Sequence, residues 1–79
     1  MNKKLIQKEL GKKIKEKRLE RGITQLQLAE LTGLSEIKIS EIERGRYMAR
    51  NETLERIAEI LKCEIIVDLI DKNKLYEEN

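Results

Sequence analysis

Residues 24–45 of this 79-residue chain, TQLQLAELTGLSEIKISEIERG, decide its fold. Thr24 and Ser35 are of the residue types that cap helix N-termini, and each stands directly before a run with helical spacing. Gly33 lies between the two runs and suits the left-handed conformation in which many helices end. The stretch therefore predicts two short helices, Gln25–Thr32 and another directly after Ser35, joined by a connection of only a few residues.

The apolar residues of this stretch predict the buried face of each helix. Leu28 and Ala29 are the candidate core positions of the first helix, and Ala29 is small enough to let another helix cross closely. Ile39 and Ile42 lie three residues apart in the second helix and face inward with Leu34. The outer surface of that helix is then formed by Glu36, Ile37, Lys38, Ser40 and Glu41. Two helices joined through a short turn that contains glycine form the helix-turn-helix pattern.

A further helix is predicted before this motif and another after it. Between residues 3 and 20, Ile6, Leu10 and Ile14 recur every four positions among lysines and glutamates, which predicts an amphipathic helix with one buried stripe. Gly22 ends that helix. After the motif, Asn51 is the predicted N-cap of a fourth helix, whose apolar residues keep helical spacing at Leu54, Ile57, Ala58 and Leu61. We therefore expect a mostly α fold in which four helices close one core.

The pattern changes at residue 63. The segment Cys63–Ile70 is rich in β-branched residues and places Ile65, Val67 and Leu69 in alternation, which predicts a β-strand. A lone strand leaves its backbone hydrogen-bonding groups unsatisfied, so we expect these three residues to pair across a two-fold axis with the same strand of a second copy. The alternative is that Glu64 to Ile70 prolong the fourth helix.

Length and composition fit a single small domain. The chain is 39% hydrophobic but only 3% aromatic, so its core must be built from Leu, Ile, Val and Ala. It carries 17 basic and 15 acidic residues, a net charge of +2, and any basic surface must come from local clustering. The expected organisation is a helix-turn-helix domain over residues 1–62 with its motif at about 25–44, a dimerising strand over 63–70 and a flexible tail over 71–79.

The composition also argues against several functional classes. Cys63 is the only cysteine, which excludes an internal disulfide framework and a multi-cysteine zinc site. The chain has no histidine, the usual general base, and no glycine-rich phosphate loop, so we expect no enzyme activity, no metal and no cofactor. No apolar run approaches the roughly 20 residues that span a bilayer. We expect a cytoplasmic protein that does not enter a membrane.

The motif residues resemble the Cro and cI phage-repressor (XRE) type of helix-turn-helix family. The matching residues are Thr24-Gln25-Leu26-Gln27-Leu28-Ala29, Gly33-Leu34-Ser35, Ile39-Ser40 and Glu43-Arg44-Gly45. With Arg18 upstream and Thr53-Leu54 downstream, the resemblance covers roughly Leu10 to Cys63. It implies a transcriptional regulator whose third helix, Ser35 to Arg44, lies in the major groove of double-stranded DNA.

The resemblance also implies roles for individual residues. The base-facing positions of the family fall on Ser35, Glu36, Ile37, Ser40 and Glu41. Gln25 stands where the family anchors the second helix on a phosphate, and the cations available for the DNA backbone are Lys38, Arg44, Arg46 and Arg50. Arg18 and Glu43 occupy the positions of a structural ion pair between the first and third helices. Glu36 and Glu41 depart from the common pattern, because a carboxylate is repelled by phosphates unless it accepts a hydrogen bond from a cytosine amino group.

The predicted strand after four repressor-like helices is similar to the antitoxins of Hip-type toxin–antitoxin modules. This similarity implies a homodimer that binds an inverted-repeat operator, represses its own operon and binds a toxin protein. The alternative is a protein-interaction module on a helix-turn-helix scaffold with weak or no DNA binding, which the acidic Glu36 and Glu41 would suit.

Overall fold

The computed structural model describes residues 3–63, which form four α-helices. The helices are α1 (Lys3–Glu20), α2 (Gln25–Thr32), α3 (Glu36–Glu43) and α4 (Asn51–Ile60). α3 packs against α1 and α2, and α4 packs against α2. The four predicted helices are thus confirmed, and α2 has the predicted bounds. Among the described helices, none is both long and apolar enough to cross a membrane.

Local hydrogen bonds explain where the two motif helices begin. The Thr24 hydroxyl accepts from the backbone N–H of Gln27 (3.0 Å), and the Gln27 side chain accepts from the backbone N–H of Thr24 (2.8 Å). This reciprocal capping box satisfies two backbone donors that α2 would otherwise leave exposed. The Ser35 hydroxyl accepts from the backbone N–H of Lys38 (3.0 Å) and caps α3 in the same way. Both helix starts therefore follow from the cap residues predicted from the sequence.

The end of α4 is a tight reversal of the backbone. The Cys63 N–H donates to the carbonyl of Ala58 (2.8 Å) and the Lys62 N–H donates to that of Glu59 (3.1 Å), with Lys62 at φ 57°. These two bonds form a Schellman motif, which usually has glycine at the left-handed position. α4 therefore ends at Ile60. The alternative in which Glu64 to Ile70 prolong this helix concerns residues outside the described part of the chain. The rest of the predicted strand, with Ile65, Val67 and Leu69, and the predicted tail over 71–79 lie outside the described residues.

The core is aliphatic and lies where the four helices meet. Leu28, Ile39, Ile57 and Leu61 are its largest fully buried side chains. The other apolar residues of the cluster are Ile14, Ala29, Ile42, Ala49 and Leu54, with Leu10, Ile23 and Leu34 packed against its edge. Ala58, which keeps helical spacing with Leu54, Ile57 and Leu61, is only half-buried. One face of α3 is therefore fixed against the body of the domain, and the opposite face is left to solvent.

Two expectations at helix starts are wrong. Ile6 was expected in the buried stripe of α1 but is exposed, because an 18-residue helix is about 27 Å long and its first turns extend beyond the eight-residue α2 and α3. Asn51 was expected to cap α4, but Arg50 has the extended capping conformation and no side chain caps that helix. Ala49 and Leu54 are buried on either side of this helix start and fix the path of the chain. A side-chain cap stabilises by only about 1 kcal/mol, which is too little to move the start of α4 by one residue.

Gly11 is a packing feature that the sequence patterns did not reveal. A Cβ at this position would clash with the carbonyl oxygen of Ile42 and would lie 2.6 Å from that of Glu43. Glycine inside a helix costs about 1 kcal/mol relative to alanine, so a mid-helix glycine signals a packing requirement. Here the glycine lets α1 rest directly on the backbone at the end of α3.

Candidate nucleic-acid interface

The solvent-facing side of α3 carries the residues predicted to face bases. Among the large apolar residues of 3–63, Ile37 is the most exposed, at 75%, and Glu36 is also exposed. Ser40 and Glu41 are half-buried, and Ser35 is exposed at the first turn. In a major groove a carboxylate can accept from the cytosine amino group, a hydroxyl can bond either base of a pair, and an aliphatic side chain can contact the thymine methyl group. This surface therefore offers both hydrogen bonds and apolar contacts to base edges.

The Arg18–Glu43 ion pair fixes the inner side of α3. Arg18 Nε donates to Glu43 Oε2 (2.6 Å) and Nη2 donates to Oε1 (3.1 Å), so the guanidinium holds both carboxylate oxygens. Arg18 Nη1 also donates to the backbone carbonyl of Ile23 (2.8 Å). Both ionic side chains are buried, at 8% and 2% exposure. The pair joins α1, the turn before α2 and the last residue of α3, and it positions the helix without occupying its outer surface.

Gln25 connects this buried pair to the surface. Its Nε2 donates to Glu43 Oε1 (3.0 Å), and the side chain is half-buried at the first turn of α2. An amide nitrogen carries two protons, so one proton remains for a further acceptor. The bond to Glu43 restricts the amide orientation while leaving Gln25 able to donate to a phosphate oxygen.

Lys38 is held against an aromatic ring. Its Nζ lies 3.8 Å from the ring centroid of Tyr47, in the loop between α3 and α4. A cation at this distance is attracted by the ring face with about 0.5–1 kcal/mol at a partly exposed site. The contact ties the loop to the outer side of α3 and restricts where the Lys38 charge can be placed.

Charge is divided along α3 and the loop after it. Glu36 and Glu41 lie in the helix, whereas Arg44, Arg46 and Arg50 follow its end and are all exposed. The ion pairs found within residues 3–63, Lys17–Glu20 and Arg18–Glu43, do not involve these three arginines. The cations are therefore available to phosphate groups at one end of the surface, and the carboxylates lie where base edges would be contacted.

A cleft between α1 and the α3–α4 loop was not predicted from the sequence. Its lining residues are Lys4, Gln7, Lys8, Arg44, Gly45 and Arg46. Gln7 Nε2 donates to the carbonyl of Gly45 (3.2 Å), and a Cβ on Gly45 would lie 2.7 Å from Lys8 Cα. From helical periodicity alone, Lys8 is expected on the solvent-exposed face of α1. Its long-range contact with Gly45 has no signature in the sequence other than the glycine itself.

The described residues contain no group suited to holding a metal. Within 3–63, no cluster of three or more His, Cys, Asp or Glu side chains has the arrangement that metal binding needs. The residues that converge at the candidate interface are hydrogen-bond donors, acceptors and cations. Their chemistry fits recognition of a polyanion that presents base edges.

Comparison with protein families gives a direct match. The helix-turn-helix family model HTH_3 matches residues 14–67, which include α2, α3 and α4 and the last seven residues of α1. The match therefore covers more than half of the chain and includes every residue of the predicted DNA-contact set.

Two phage proteins and one solved structure are similar to this chain. The ImmF control region 10 kDa protein of Bacillus phage phi105 is 37% identical over 71 residues, covering 90% of this chain and 79% of that protein. The immunity repressor protein of the same phage is 38% identical over 69 residues, covering 87% of this chain but only 48% of the repressor. The structure of the clp gene regulator ClgR from Corynebacterium glutamicum superposes with a TM-score of 0.73 at 30% identity, over 75% of this chain and 76% of that one.

Proposed function

This chain belongs to the HTH_3 helix-turn-helix family, and from that premise we propose that it is a sequence-specific repressor that reads duplex DNA with α3. Family membership and the repressor and regulator relatives identify it as a DNA-binding transcriptional regulator. Repression is favoured over activation because one relative carries the name immunity repressor protein.

The observation that carries the proposal is the separation of the two faces of α3. Ile39 and Ile42 are buried in the core and Glu43 is held by Arg18, whereas Ile37 is 75% exposed. A helix anchored in this way presents its outer side chains in a fixed arrangement, which direct readout of base edges requires. The same anchoring leaves the helix N-terminus, capped by Ser35, exposed to solvent.

We assign different tasks to the two groups of surface residues. Ser35, Glu36, Ile37, Ser40 and Glu41 contact bases, and the cations Lys38, Arg44, Arg46 and Arg50, together with Gln25, contact the sugar–phosphate backbone. Phosphate contacts supply affinity and register, and base contacts supply sequence preference. The carboxylates of Glu36 and Glu41 favour cytosine at the positions they face.

We further propose that the protein acts as a homodimer on an inverted-repeat operator. The predicted strand over 63–70 would join two copies and would set the two recognition helices about 34 Å apart, one turn of B-DNA. This part of the proposal rests on the alternation of Ile65, Val67 and Leu69 in the sequence. The antitoxin hypothesis and its toxin partner rest on the same predicted strand, whereas the relatives described above favour a phage-type regulator.

The test is selection of duplexes from a randomised pool, followed by fluorescence anisotropy with the selected and scrambled sequences. We expect the parent to bind the selected duplex at least about a thousandfold more tightly than the scrambled one. Arg46→Ala should lower affinity for both duplexes, whereas Arg56→Ala, at an exposed arginine of α4, removes the same charge from another surface and should change little.

The alternative of a protein-interaction module makes a different prediction. A module without DNA binding would show equal, weak affinity for both duplexes and no effect specific to Arg46. Ile37→Ala separates the two hypotheses further, because a base contact to thymine predicts loss of preference at one base position with no change in melting temperature.

A further inference from the structure

We propose that the first turns of α1 extend the DNA-backbone contact, with Lys8 binding a phosphate next to those bound by Arg44 and Arg46. The inference rests on the proposed function, because it assigns a further residue to the same DNA-binding surface. It concerns a part of the chain that lies N-terminal to the family match, which begins at residue 14.

The cleft between α1 and the α3–α4 loop has the chemistry of an anion site. Its described lining combines four cationic side chains with one amide and one glycine, and none of these lining residues is acidic. Lys8, Arg44 and Arg46 are exposed. A concave group of like charges is unfavourable by itself and becomes favourable when an anion is placed among them.

The cleft is built by close packing and not by chance proximity of long side chains. Gly45 has φ 75°, and a Cβ there would lie 2.7 Å from Lys8 Cα and 2.8 Å from its Cγ. The hydrogen bond from Gln7 Nε2 to the Gly45 carbonyl (3.2 Å) closes the same contact. The stem of Lys8 is therefore fixed relative to Arg44 and Arg46, and only the outer part of the side chain must be ordered when a phosphate binds.

The cleft continues the predicted DNA-facing surface. Arg44 directly follows α3, three and four residues after Glu41 and Ser40, and this spacing places it on the same side of the helix. An anion contacted by both Arg44 and Lys8 would thus lie at the C-terminal end of the base-reading surface. This continuity favours a phosphate of the bound duplex over an acidic protein segment as the occupant.

The decisive experiment measures how affinity for a mixed-sequence duplex depends on salt. Lys8→Gln removes the charge and keeps most of the stem that packs on Gly45. Lys13→Gln is the matched control, because Lys13 is another exposed lysine of α1, about 140° around the helix from Lys8. Lys8→Arg keeps the charge, and thermal melting of all variants verifies the fold.

Loss of one phosphate contact should reduce the slope of log affinity against log salt by about 0.9 per bound protomer. If the two lines meet at 1 M salt, this difference in slope corresponds to about an eightfold loss of affinity at 0.1 M salt. We expect this result for Lys8→Gln, a parent-like slope for Lys13→Gln, and recovery of the slope by Lys8→Arg. A Lys8→Gln slope equal to that of Lys13→Gln overturns the inference.

Two further outcomes separate this inference from the proposed function. If the parent and Arg46→Ala differ in slope but the parent and Lys8→Gln do not, the repressor proposal stands and the α1 contact is wrong. In the second outcome, polyglutamate displaces the duplex from the parent protein but not from Lys8→Gln, while the salt slope of Lys8→Gln for DNA equals that of the parent. The cleft then binds an acidic protein and the inference is likewise overturned. A parent that binds no duplex removes both proposals.

Discussion

Arg18 holds both carboxylate oxygens of Glu43 across 25 residues of sequence, at 2.6 and 3.1 Å. Neither side chain is more than 8% exposed. Glu43 also accepts from Gln25, so one carboxylate organises the start of α2, the end of α3 and the last turns of α1. Three helices of the domain thus meet at a single buried carboxylate.

Removing either partner of this pair should destabilise the fold. Arg18→Ala and Glu43→Ala each strand an uncompensated buried charge, and we expect each to lower the free energy of unfolding by about 3–5 kcal/mol. The double variant Arg18→Met/Glu43→Leu leaves no buried charge and should lose much less. Urea denaturation measures all three. Single variants that melt like the parent but lose DNA affinity would assign the pair to DNA contact.

Gly11→Ala should destabilise the protein although alanine is the better helix former. In a solvent-exposed helix the change would add about 1 kcal/mol. Here the new methyl group meets the backbone carbonyls of Ile42 and Glu43, which cannot turn aside as a flexible side chain could. We expect a net loss of about 1–3 kcal/mol. Lys12→Ala, at the next and exposed position, is the control, and a stabilised Gly11→Ala variant would refute the close packing.

Lys62→Gly should stabilise the end of α4. A residue with a Cβ is destabilised by about 1–2 kcal/mol in the left-handed conformation, and glycine avoids this cost. Glycine also gives the unfolded chain more conformational freedom, which lowers the free energy of unfolding by about 0.4–1 kcal/mol. The expected net gain is about 1 kcal/mol, or a melting temperature about 4–8 °C higher. Lys62→Ala removes the same charge and keeps the Cβ. Equal melting temperatures for the two variants would attribute any gain to charge instead of conformation.

Glu41→Gln should change which bases are preferred without changing the salt slope. The carboxylate is proposed to accept from cytosine, and an amide at that position pairs instead with adenine. We expect a shift of about 1–3 kcal/mol in discrimination at one position of each half-site. Glu55→Gln, at an exposed glutamate of α4, controls for the change in net charge. Identical preferences at every base position would remove Glu41 from the set of base-contacting residues.

Val67→Pro should dissociate the proposed dimer. Proline cannot donate a ladder hydrogen bond and is excluded from paired strand interiors. We expect the variant to retain its helical circular dichroism, to sediment as a monomer and to lose operator affinity, because two half-sites are no longer bound together. Lys74→Pro lies in the predicted tail and should remain dimeric. A dimeric Val67→Pro protein at micromolar concentration would place the dimer contact elsewhere.

The helices could be predicted because their determinants are local. Thr24 and Ser35 act through bonds to backbone groups three residues away, and the buried Leu28, Ile39 and Ile57 occupy positions that helical periodicity assigns to the core. The wrong predictions concern features that depend on the tertiary fold. Ile6 depends on how far α1 extends beyond its neighbours, which no local pattern records.

The candidate site could be predicted only in part for the same reason. Periodicity placed Ile37 on the outer side of α3, and its 75% exposure agrees. The contacts of Lys8 with Gly45 and of Lys38 with Tyr47 join segments whose meeting depends on the tertiary fold. The packing role of Gly11 was missed because it is expressed only against the end of α3.

The opposite faces of α3 have an evolutionary consequence. Substitutions on its exposed face, at Ile37 above all, should shift stability by no more than about 0.5 kcal/mol, whereas changes at Ile39 or Glu43 should remove a large part of the free energy of unfolding of a small domain. Ser35 is the exception, because its hydroxyl also caps the helix. If α3 reads base edges as proposed, sequence preference can therefore change through substitutions on one side of two helical turns, while the residues on the other side keep the domain folded.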